Sequence, residues 1–130
     1  MYHATTNGIS VTVESRFLEQ ESEPENQHFV WAYHIRIENG GADTVQLLGR
    51  HWIITDGLGR VQEVRGEGVV GEQPTLEPGS SYSYTSGTPL STPSGTMHGS
   101  YLMRRPDGSR FEISIPLFSL DCDFASQVLH

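Results

Sequence analysis

An antiparallel two-sheet β-sandwich of about seven to eight strands is the fold this 130-residue chain predicts. Three observations carry that expectation. Apolar residues alternate at period two through most of the chain, which places one face of each segment on a core. No comparable stretch shows the 3.6-residue spacing of a helix. Fourteen glycines and seven prolines interrupt the alternating runs at intervals of roughly ten residues, the rhythm of short strands joined by turns. A chain of this length is expected to form a single domain, 1–130, with its core over about 5–120 and a frayed tail over 121–130.

The elements follow in order. Ile9, Val11 and Val13 alternate with polar residues, and Phe17 keeps their phase if Ser15 takes an inward slot. Residues 18–27 hold Glu19, Glu21, Glu23, Pro24 and Glu25 and read as an exposed hairpin loop. Phe29, Trp31, Tyr33, Ile35 and Ile37 then alternate strictly and predict the strongest strand. After the turn cluster at Asn39–Asp43, a strand over Val45–Asp56 places Leu48, Arg50, Trp52 and Ile54 on one face. A guanidinium among apolar neighbours is awkward, so either an edge position or a bulge near Gly49 is expected. Asp56-Gly57-Leu58-Gly59 is a tight turn into a short strand over Arg60–Arg65. Ser80–Ser86 is a strand with Tyr82 and Tyr84 on one face, whereas Thr88–Thr96, with Pro89 and Pro93, reads as loop. Met97 to Arg104 and Phe111 to Ile115 flank Pro106-Asp107-Gly108 as a hairpin, and Pro116 is expected to end it. Trp31 and Trp52 are the expected inter-sheet core pieces.

Charge narrows the function classes. The net charge is −8, which disfavours general nucleic-acid binding, since that requires a basic surface. No stretch approaches the ~20 apolar residues of a membrane span, so membrane insertion is not expected. The N-terminus lacks a signal-peptide layout and Cys122 has no partner for a disulfide; a cytoplasmic location is the expectation. All eight cationic side chains are arginine, the type suited to forked contacts with phosphate or carboxylate.

One motif promises chemistry. Gly66-Glu67-Gly68-Val69-Val70-Gly71 spells G-x-G-x-x-G, preceded by Arg65 and followed by Glu72. In dinucleotide sites the last glycine opens a helix whose free N–H groups meet pyrophosphate. Here Pro74 and Pro78 follow, so no helix is expected and the motif becomes a glycine loop between strands. Such a loop could still cradle an anion with successive N–H groups, helped by Arg50, Arg60 and Arg65 if they converge. Glu67 and Glu72 oppose that unless a divalent cation bridges them to phosphate. The bland alternative is that the glycines serve a crowded crossing between strands.

Other chemistry is poorly represented. His3, His28, His34, His51, His98 and His130 show no ligand spacing, and a metal site is not assigned; the glutamates at 19, 21, 23 and 25 read as a solvated loop. No nucleophile elbow or Ser-His-Asp order occurs, and Cys122 lies between Asp121 and Asp123, where negative charge disfavours a thiolate. No catalytic residues are assigned and no resident cofactor is expected, although Mg²⁺ or Co²⁺ remains a candidate ligand.

The runs Gly49–Asp56, Val64–Pro74, Tyr84–Gly87, Met97–Met103 and Phe111–Leu120 closely resemble the bacterial ApaG family over about residues 5–120, in the family's own order. The resemblance implies a fibronectin type III-like sandwich of immunoglobulin-like kind. It also implies an association with tolerance of cobalt and magnesium and with diadenosine tetraphosphate metabolism. Related domains stand beside recruiting regions in larger proteins, which implies a non-catalytic module that binds a protein partner. A nucleotide or pyrophosphate binder using Gly66–Gly71 is the alternative. A homodimer through a strand edge is a further expectation.

Overall fold

The computed structural model describes residues 1–122 and places nine strands in them, with no α-helix. In chain order they are β1 Tyr2–Thr6, β2 Ile9–Phe17, β3 Phe29–Asn39, β4 Val45–Asp56, β5 Val61–Glu67, β6 Thr75–Leu76, β7 Ser81–Leu90, β8 Ser94–Arg104 and β9 Arg110–Asp121. One sheet has the order β1-β2-β3-β7; the other has β5-β4-β8-β9, with β6 added to β4. All pairings are antiparallel. The predicted all-β sandwich is the observed architecture.

Alternation explains the core. Phe29, Trp31, Tyr33, Ile35 and Ile37 are buried along β3, and Ile9, Val11 and Val13 along β2. Trp52 on the facing sheet meets Tyr33, Phe118 and Tyr101 with ring centroids 5.3, 6.0 and 6.5 Å apart, all edge-on. That geometry suits the ring quadrupoles. Ser15 does take an inward slot, where its hydroxyl donates to the Ser119 carbonyl at 3.0 Å and ties the two sheets together.

The register of β4 resolves the awkward arginine. Leu47 pairs with Met103 but Gly49 pairs with Leu102, so Leu48 is an extra residue. This bulge moves the inward set from Val45 and Leu47 to Trp52 and Ile54. Leu48 therefore does not share the buried face, and Arg50, half-buried, does so only where the sandwich opens.

Two sequence expectations are corrected, and a strand that none of them named is added. Tyr2–Thr6 forms a strand with a weak pattern, held by its register against β2. The expected loop over Thr88–Thr96 narrows to residues 91–93, because β7 continues through Pro89 to Leu90. Pro116 does not end its strand: β9 runs to Asp121, and Pro116 with Leu117 bulges opposite His98. Both prolines are tolerated for one reason, since β7 and β9 are edge strands and a missing N–H on the outer side breaks no ladder bond. At the end of β9 the Trp31 indole N–H donates to the Asp121 carbonyl at 2.8 Å, and Cys122 is buried beside it. Residues 123–130, the rest of the predicted tail, lie outside the described residues.

Candidate functional site

The G-x-G-x-x-G segment closes on itself as a turn. Val69 and Glu72 exchange backbone bonds, N–H to carbonyl, at 2.8 and 2.9 Å. Val70 and Gly71 between them have φ of 43° and 81°, the signs of a type I′ turn. Gly68 donates its N–H to the Leu48 carbonyl at 2.8 Å. The amides of Gly68, Val69 and Glu72 are thus committed inside the fold, which removes the successive inward N–H groups that an anion cradle needs.

What occupies the concave side is a cation belonging to the protein. The Arg50 guanidinium donates to the carbonyls of Glu67 and Gly68 at 2.9 and 3.0 Å. Gly66 pairs with Arg50 across the ladder, and a Cβ on it would run into the guanidinium. Gly68, at φ 61°, has no room for a side chain because the Glu72 carbonyl lies against it. Two of the glycines thus make room for neighbours, and the third supplies the turn.

The other predicted residues do not converge here. Arg65 points to the opposite face of β5, beside His51, as their pairing requires. Arg60 bonds Asp56 at 2.7 Å and Ser91 at 2.9 Å at the far end of the same strand. Glu67 is exposed, and Glu72 accepts a bond of 2.9 Å from the Tyr82 hydroxyl, which clips the turn to the other sheet. Burial raises the Tyr82 pKa, and the Glu72 carboxylate raises it further. Arg65, Gly66 and Glu67 instead rim an open depression of about 370 Å³ above Gly49, with His51, Ser100 and Glu112. His51 is held by Glu63 at 2.8 Å. Among the described residues no group of three or more His, Cys, Asp or Glu side chains is placed to hold a metal ion.

A buried polar pair lies behind Arg50. The hydroxyls of Tyr84 and Tyr101 meet at 2.5 Å between the sheets. Burial pushes both far up, so both stay neutral; the bond between them lowers Tyr84, while charge on Tyr84 and that same bond raise Tyr101 further. Tyr33 is raised too, by burial, against the smaller pull of the Ser86 hydroxyl and of Arg50.

The strand edges present a different kind of site. Among the described residues β7 pairs with β3 alone. The Asn39 N–H to Ser80 carbonyl bond of 2.9 Å sets the ladder phase. Tyr82, Tyr84, Ser86 and Thr88 therefore face β3 with their backbone groups, while Ser81, Ser83, Thr85, Gly87 and Pro89 turn theirs outward. Pro89, with no N–H to offer, stands in the outward phase. On β5 the same reasoning turns Val61, Glu63 and Arg65 outward. That strand is short and charged, which guards it. β9 lies against β1, where the Ser114 N–H donates to the Thr6 hydroxyl at 3.1 Å. Only β7 combines length with a complete lack of charge. Its signal was present in the sequence: no Asp, Glu, Lys or Arg occurs between Glu77 and Arg104.

Beside that edge, an open depression of about 360 Å³ lies on the outer face of the sheet, lined by Glu14, Ser15, Arg16, Ala32, His34 and Thr85. It exists because Ala32 and Gly87 are paired neighbours with almost no side chain.

These features define a class: a two-sheet antiparallel β-sandwich with an arginine-filled glycine turn at one end and an uncharged free strand edge. The ApaG domain model matches residues 19–105. The ApaG protein of Paramagnetospirillum magneticum is 63% identical over 121 residues, covering 93% of each chain. That of Parvibaculum lavamentivorans is 55% identical over the whole length of both. A crystal structure described as ApaA of Bordetella pertussis superimposes with a TM-score of 0.85 at 50% identity, covering 88% of this chain and 93% of that one. This chain belongs to the ApaG family. A protein from Archaeoglobus fulgidus, at 8% identity and a TM-score of 0.51, shares the fold alone. Among the described residues no helix is long and apolar enough to cross a membrane.

Proposed function

We propose that this protein is a non-catalytic binding module that takes an extended segment of a partner protein onto the outer edge of β7. One observation carries the proposal: a strand from Ser81 to Leu90, paired on one side only among the described residues, carries no charge and turns four complete N–H and C=O sets outward, at Ser81, Ser83, Thr85 and Gly87. Natural sheets guard edges of this length with charge, cover or distortion. Here Pro89 guards the far end alone. An added strand would gain main-chain bonds along the edge and side-chain contacts on the outer face. The glycine turn gives the nucleotide alternative little support, because its amides and its cation already serve the fold. On this reading the links to cobalt, magnesium and dinucleoside polyphosphates run through the partner, with no resident cofactor.

Pro89 supplies the test. Thr85→Pro removes an outward N–H and no backbone bond to β3, losing there only the exposed hydroxyl contact with His34, so the variant is expected to fold, by circular dichroism and melting. Immobilised wild-type protein is expected to retain a specific protein from its host's lysate; Thr85→Pro loses it, and Glu63→Pro on the β5 edge keeps it. Equal retention by all three, or by none, contradicts the proposal.

A further inference from the structure

We infer that the partner strand carries an acidic side chain, Glu or Asp, directly opposite Gly87, where it faces the guanidinium of Arg16 across Ala32 and Gly87. The inference rests on the β7 reading and specifies its chemistry. Across the outer face the sheet is a set of rungs, each formed by paired residues of β2, β3 and β7. One rung reads Arg16, Ala32, Gly87, and the next reads Glu14, His34, Thr85. In the first rung nothing larger than a methyl group separates Arg16 from the free edge. In the second, His34 stands in the middle with Nδ1 at 2.8 Å from the Thr85 hydroxyl, and it screens Glu14 from the edge.

Arg16 is exposed, and it enters no hydrogen bond or ion pair among the described residues. The four ion pairs there use Arg36, His51, Arg60 and Arg105. An added strand would lie three strand spacings from β2, about 14 Å. A long arginine and a glutamate extending toward each other bring their charges to about 5 Å, over the depression that Ala32 and Gly87 leave open. Opposite charges at that separation attract through space without a direct hydrogen bond, and salt screens them. A second copy of this chain paired β7 to β7 does not satisfy the rung, because Ser81–Leu90 contains no acid to set against Arg16.

The test is selection of random displayed peptides of about ten residues, the length of an ordinary strand. The full chain, its Thr85→Pro variant and its Arg16→Glu variant serve as baits. Peptides retained by the full chain and lost by Thr85→Pro are expected to share one acidic position. Arg16→Glu is expected to bind them about two- to fivefold more weakly and to select a basic residue there instead. Added salt is expected to shrink that difference. Thr85-dependent peptides with no acidic position, or with one that Arg16→Glu leaves unchanged, overturn the inference and leave the edge reading standing. Peptides indifferent to Thr85→Pro overturn both. A dimer in sedimentation that Thr85→Pro dissociates gives the edge to a second copy and also overturns the inference.

Discussion

The guanidinium of Arg50 fills the space in which Gly66 would carry a side chain: an ideal Cβ on Gly66 stands 2.6 Å from Arg50 Cζ. The first glycine of the motif is therefore explained by an arginine on the neighbouring strand. Gly66→Ala is expected to displace the guanidinium from the Glu67 and Gly68 carbonyls and to destabilise the fold by ~1–3 kcal/mol. In an Arg50→Ala background the same substitution should cost much less. A double-mutant cycle in urea measures the coupling; strict additivity would contradict the account.

The Tyr84–Tyr101 bond predicts an asymmetry. Either single change to Phe leaves a buried hydroxyl without its partner and is expected to cost ~1–3 kcal/mol, while the double change should cost less than the sum of the two. The pair also sets a pH dependence. Both phenols are held above their unfolded value near 10, so their contribution is complete below that pH and is lost as pH rises beyond it. Unfolding free energy is expected to decline above pH ~10, and the double Phe variant should flatten the decline.

Val70 is a β-branched residue at φ 43°, exposed at the tip of the turn. Left-handed backbone disfavours valine and suits asparagine or glycine. Val70→Asn is expected to raise stability by ~1 kcal/mol, read as an increase in melting temperature. A lower melting temperature would show that the valine side chain contributes something the backbone geometry does not reveal.

Nucleotide should not perturb the glycine turn. With the amides of Gly68, Val69 and Glu72 internally bonded, their resonances are expected to stay in place when ATP and Mg²⁺ are added to millimolar levels. Saturable shifts confined to residues 66–72 would restore the pyrophosphate reading.

Much of this architecture is legible from residue order alone, because inward and outward positions are a local property. The β3 alternation and the inward Ser15 follow from period two, whereas for Arg50 the sequence leaves an edge position and a bulge near Gly49 both open, and the pairing of β4 with β8 selects the bulge. Pro89 and Pro116 mislead because tolerance of proline depends on being at a sheet edge, and edge status is settled by strands distant in sequence. The Tyr2–Thr6 strand has too few large apolar residues to announce itself. The glycine motif shows the same limit: its missing helix is visible in the sequence, but Arg50 at its centre is placed by strand pairing. Free backbone on β7 is likewise a fact of pairing, although the absence of charge along it is plain in the sequence.

The account turns most directly on whether the edge of β7 is free, and native-state hydrogen exchange of its amides tests this. Ser81, Ser83, Thr85 and Gly87 are expected to exchange rapidly while Tyr82, Tyr84, Ser86 and Thr88 are protected, an alternation that disappears when a selected peptide is bound. Uniform protection from Ser81 to Thr88 in the unbound protein would mean that the edge is already covered, and would contradict the account.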